Sequence, residues 1–154
     1  MPNWCKGTLK VRGTIKDLET FIVKGLNPVD FIGNDKPPLV VKNENGYFFC
    51  ESDNFIHIKG TYRGFVDGLY VEYCYESKAE IGILTFDVQF AWEVNAHELL
   101  NLAKEFNVDI KIYAFESGGE FNRNVEIVGG EIIADETIEF DDYLWECICP
   151  NMGG

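Results

Sequence analysis

Chemistry in this chain would have to be built from two histidines, five cysteines and a band of carboxylates toward its end. His57 lies on the polar side of an alternating stretch. His97 falls in the opening turn of a helix, where the helix dipole gives an imidazolium no advantage. Neither has a Cys, His or carboxylate at a spacing used for zinc, and solvated imidazoles are the simpler account. Cys147-Ile148-Cys149 is the one local thiol pair. In an extended segment its sulfurs point to one side and could hold a soft metal or close a strained disulfide. A metal would need a second ligand pair, and Cys5, Cys50 and Cys74 stand alone in the sequence. Structural or incidental thiols are therefore expected, with a small thiol or metal protein using Cys147 and Cys149 as an alternative.

Nucleophile and phosphate motifs are missing. Ser52, Ser77 and Ser117 have no His nearby in sequence, and no Gly-x-Ser-x-Gly occurs. Gly118-Gly119 and Gly129-Gly130 lack the Lys-Ser/Thr of a P-loop and the strand-to-helix setting of a dinucleotide fingerprint; hairpin turns explain them. Glu116, Glu120, Glu131, Asp135, Glu136, Glu139, Asp141 and Asp142 form the acidic band without an Asp-x-Asp-x-Asp-Gly calcium loop. Residues 109–154 hold eleven carboxylates against only Lys111 and Arg123, within a chain of net charge −13. Such a field repels phosphate backbones and anionic membranes, so direct nucleic-acid binding is not expected. Carboxylates spaced along a β-surface could instead imitate duplex DNA, which makes a DNA-mimic inhibitor of a DNA-binding enzyme the second alternative. Tyr70, Tyr113 and Phe115 fall on the solvent side of their strands, where exposed aromatics mark an interface unless the tail or another copy covers them.

The elements that must position these residues follow from hydrophobic periodicity. Leu9 and Val11 alternate with Lys10 and Arg12 in a first strand, and Thr14 with Asp17 opens a helix that presents Ile15, Leu18, Phe21 and Ile22 and stops near Gly25. Residues 26–46 read mostly as loop, with a short edge strand at 39–41, and Asn45-Gly46 signals a hairpin into 47–50. Strands are expected at 55–62 and from Leu69 to Tyr75. The clearest lies at 84–92, where Leu84, Phe86, Val88, Phe90 and Trp92 alternate with polar positions. Asn95 caps a helix carrying Leu99, Leu102, Ala103 and Phe106 on one face, with Asn107 as its stop. A strand at 110–114 and a hairpin at 121–139 complete the series, and 147–154 reads as a short tail. Two strand-helix-strand units predict one α+β domain: a ferredoxin-like antiparallel sheet with two helices on one face, a mid-chain β insert and a C-terminal hairpin.

The opening Met1-Pro2-Asn3-Trp4-Cys5, followed by a strand and Gly, resembles the start of small proteins of phages and mobile elements. The half running from Phe86-Asp87 through Trp92 into 95–106, then Tyr113-Ala114-Phe115-Glu116-Ser117-Gly118-Gly119 and the hairpin 121–139, is similar to their YubB-type ferredoxin-like domain. That resemblance implies a fold and a phage or prophage setting, and carries no catalytic residue. No signal peptide or membrane-length apolar run is visible, so a cytoplasmic protein is expected. The combined expectation is a non-catalytic accessory protein without cofactor or metal. It would act on an unknown protein partner or by self-association, through Tyr70, Tyr113, Phe115 and the acidic residues.

Overall fold

The computed structural model describes residues 1–154 and is dominated by one antiparallel sheet of nine strands. These are β1 (Trp4–Thr14), β2 (Leu26–Val29), β3 (Lys42–Glu44), β4 (Tyr47–Ile58), β5 (Gly64–Cys74), β6 (Ile81–Ala91), β7 (Asp109–Glu116), β8 (Phe121–Val128) and β9 (Glu131–Glu139). Their order is β2-β4-β5-β6-β1-β7-β8-β9, with β3 also on β4. The helices are short: α1 (Ile15–Thr20), continued by a π-helical turn over Phe21–Gly25, then α2 (Ala96–Phe106) and α3 (Tyr143–Glu146).

The ferredoxin-like expectation is overturned by this sheet. β2, β3 and β4 extend it on one side and β8 and β9 on the other, so helices are a minor part of the molecule. The error has a local cause. The sequence suggests separate strands at 47–50 and 55–62, yet β4 runs from Tyr47 to Ile58 as one twelve-residue strand by a register shift between Ser52 and Phe55. Residues 26–29 and 42–44 then pair with the two halves of that strand, where the sequence suggested loop and a strand at 39–41.

β1 lies between β6 and β7, and its alternation is strict. Cys5, Leu9 and Val11 are fully buried on one face, while Lys6, Thr8, Lys10 and Arg12 point to the other. The same alternation in β6 and β7 builds a core of 32 buried residues on that inner face, under α1 and α2. The Thr14 hydroxyl accepts the Asp17 N–H at 3.1 Å, and the Asn95 side-chain oxygen Oδ1 accepts the His97 and Glu98 N–H groups. Each cap satisfies helix donors that would otherwise lack partners. Asn107 ends α2 in the left-handed region at φ 53°. No helix is long and apolar enough to cross a membrane.

The outer face has no helical layer. Part of it is covered by the segment after β9, which folds back as α3 and an irregular strap. The Tyr143 hydroxyl donates to Asn122 Oδ1 at 2.8 Å, Asn122 Nδ2 donates to the Tyr113 hydroxyl at 3.1 Å, and Ser117 Oγ donates to the Gly153 carbonyl at 2.9 Å. Gly154 N–H reaches the Trp4 carbonyl, so the strap spans from β8 across β7 to β1.

Candidate interaction site

The residues singled out in the sequence do not converge. Tyr70 is exposed on β5 beside Phe49, and its hydroxyl and that of Tyr47 both donate to Glu72, at 3.0 and 2.9 Å. Tyr113 and Phe115 lie edge to face on β7, two strands beyond β6, and are half-buried at the strap. Glu116 is buried on the inner face, where it accepts the N–H groups of Gly118 and Gly119 and so closes the β7–β8 turn. Asp135 also faces inward and pairs with Arg123 at 2.5 Å, whereas Glu136, next to it, faces outward toward Asn124. Glu139 shares the inner side with Asp135 by register, Glu120 is exposed in the turn, and Asp142 caps α3 next to exposed Asp141. The acidic residues therefore occupy both faces of the sheet. The single continuous surface that DNA mimicry requires is not formed.

The thiols are equally dispersed. Cys5 and Cys50 are buried, and desolvation pushes their pKa values up to about 12 and about 11, with the Glu116 and Glu51 charges adding to the effect. Burial also acts on Cys147, but hydrogen bonds from Tyr143, Asn122 and the Cys149 backbone outweigh it and lower its pKa. No three His, Cys, Asp or Glu side chains converge as metal ligands.

What the fold does assemble is an aromatic pocket at one end of the outer face. Trp4 of β1, Phe55 of β4 and Phe65 of β5 form its floor, and the loop after β2 supplies Phe31 and Ile32 as a rim. Its volume is ≈ 520 Å³, within the size range of small-ligand and peptide-anchor pockets. Phe65 packs edge to face on Trp4, Phe55 and His57, with centroids 6.2, 5.5 and 5.6 Å away. Arg63 forms one wall, with its guanidinium carbon 5.6 Å from the Trp4 ring and 5.9 Å from the Trp92 ring.

Each of these residues is held by a specific local device. Thr61 is buried in the β4–β5 turn, where its hydroxyl donates to Ile58 O and accepts from Gly64 N–H, fixing the backbone on either side of Arg63. Gly64 is required there, because a Cβ would strike the Phe90 ring and Thr61 Oγ1. The Arg63 carbonyl accepts from Ala91 N–H, and the Trp92 N–H donates to Asn3 O at 2.8 Å. Trp92 stands at φ 66°, a left-handed conformation that costs a bulky L-residue roughly 1–2 kcal/mol. On the rim, one Asp30 oxygen accepts the Ile32 and Asn34 N–H groups and the other accepts the Asn34 side-chain amide. The Asn34 backbone bond is foremost in holding the Asp30 carboxyl below its ordinary pKa. The loop so fixed leaves Phe31 99% and Ile32 79% exposed.

Comparison with protein-family models, with curated proteins and with solved structures returns no match to this chain. The pocket has no single signature in the sequence because its lining residues come from four separate segments, Trp4, 29–33, Phe55 and 63–65, and share no spacing. Two signals pointed to it: an apolar Phe31-Ile32 pair inside a breaker-rich loop, and a Trp at the end of the alternation in β6.

Proposed function

We propose that this chain is a non-catalytic interaction protein that docks a protein partner against the aromatic pocket. The proposal retains the cytoplasmic setting and the phage or mobile-element context that its opening residues imply. The observation that supports it is the rim. A folded chain gains nothing by holding Phe31 and Ile32 in water, yet three hydrogen bonds to Asp30 fix the loop that presents them. Burying such a pair against a partner stabilises the complex by about 1.5–3 kcal/mol for each side chain. A loop that is already ordered also loses little entropy on binding.

The test is a comparison of the tagged wild-type chain with the Phe31→Ser/Ile32→Ser double variant, both confirmed folded by circular dichroism. Photo-crosslinking from position 31 would identify the retained protein. Retention by the wild type and loss from the double variant is the expected result. A partner held equally by both, or substrate turnover that depends on a particular side chain, would overturn the reading.

A further inference from the structure

Arg63 is the only one of the three arginines whose guanidinium has no polar partner. Arg12 pairs with Asp109, and Arg123 is held by Val94 O, Thr137 and Asp135. The Arg63 side chain makes no hydrogen bond and no ion pair, although it is half-buried and lines a mainly apolar pocket. Trp4 and Trp92 contact the guanidinium by cation–π interaction, which leaves its N–H groups available in the plane. In a chain of net charge −13, an unpaired guanidinium inside an aromatic cradle is a specific feature.

We infer that the pocket binds an apolar-bodied carboxylate: the carboxylate meets the Arg63 fork, and the hydrophobic body lies among Phe31, Phe55 and Phe65. The inference rests on the docking reading and deepens it, since a hydrophobic residue at the end of a partner chain has this chemistry. The remaining lining residues decide against other ligand classes. Arg63 is the only cation among them, so a doubly charged phosphate would lack a second counter-charge. A ligand cation would face Arg63 across the tryptophans. Asp30, the one lining carboxylate, already has its oxygens committed to Ile32 and Asn34. One negative charge on an apolar body fits the cation, the aromatic walls and the ≈ 520 Å³ volume together.

The test titrates the full chain with N-acetyl-Val-Phe bearing a free carboxylate and with its C-terminal amide, followed by tryptophan fluorescence and calorimetry at low salt. A Trp145→Phe background removes the exposed indole outside the pocket. The acid is expected to bind about tenfold more tightly than the amide, as a charge-assisted bidentate contact requires. Arg63→Gln should abolish that preference, and Arg63→Lys, which keeps the charge without the fork, should retain part of it. Thermal melts of both variants establish that they fold. Equal affinity of acid and amide for the wild type, or an unchanged acid preference in Arg63→Gln, would overturn the inference. A third probe, 4-phenylbutyrate, separates the sources. Binding weaker than that of the peptide acid assigns a chain end, and equal binding assigns a free apolar acid. If Phe31→Ser/Ile32→Ser loses the protein partner while Arg63→Gln keeps it, carboxylate recognition fails and the docking reading stands.

Discussion

Trp92 joins two energetic facts at one residue. Its backbone occupies a conformation that glycine adopts freely, and its half-exposed ring stacks on Arg63. Trp92→Gly relieves the first and removes the second. Stability should change by less than about 1 kcal/mol in urea denaturation, the two effects being of similar size, while carboxylate-probe binding weakens. A loss of several kcal/mol would instead make the ring structural. Asp109 provides a pH-dependent counterpart away from the pocket. Burial acts against its charge, but the Gly129 N–H and the Arg12 guanidinium outweigh that and lower its pKa. A depressed folded-state pKa contributes stability above the unfolded-state value, which is lost as pH falls through the folded value. Asp109→Asn should therefore be less stable than wild type at neutral pH. The difference should close in acid below the carboxylate range, as read by denaturation at both pH values.

At the scale of elements, the strap from α3 onward is fastened by few groups. Tyr143 and Cys147 are its buried side chains, and the Tyr143 hydroxyl satisfies Asn122 Oδ1 beneath it. Tyr143→Phe leaves that buried oxygen with only the long Cys147 Sγ contact at 3.7 Å, and should cost about 1–3 kcal/mol in equilibrium denaturation. Unchanged stability would show that water replaces the hydroxyl there. Helix ends, strands and hairpins with local signals were legible in the sequence: the Thr14 and Asn95 caps, the alternation of β6 from Leu84 to Phe90 and the Gly129-Gly130 turn fall where expected, whereas Trp92, expected to continue that alternation, lies beyond the strand and half-exposed. The cover over Tyr113 and Phe115 was legible only as two options, tail or second copy, and the fold supplies the tail. What periodicity cannot encode is strand partnership. β2 and β3 are too short to show alternation and exist because β4 offers them an edge. Arg63 meets Trp4 and Trp92 only after β5, β6 and β1 are laid side by side, so no spacing announces the pocket.

For the molecule as a whole, charge governs how the sheet ends. β9 is an edge strand of nine residues, and no backbone hydrogen bond from outside the β8–β9 hairpin reaches it. It carries Glu131, Asp135, Glu136 and Glu139, so two copies meeting edge to edge would oppose carboxylate to carboxylate. Light scattering should show a monodisperse species at neutral pH and association as the pH approaches about 4.4, where the net charge of the sequence vanishes and the mutual repulsion of the copies with it. Association through β9 already present at neutral pH would contradict this. The placement of β1 also has a consequence in time. Of these strands, the middle one is synthesised before either of its neighbours, β6 and β7, which are encoded after residue 80. At about 5–20 residues per second, its two open edges wait several seconds or more for partners. During that wait a strand bearing Cys5, Leu9 and Val11 depends on Lys6, Lys10 and Arg12 to stay apart from other nascent chains. Neutralising those outward basic residues should therefore lower the yield of soluble protein more than it lowers the stability of what folds.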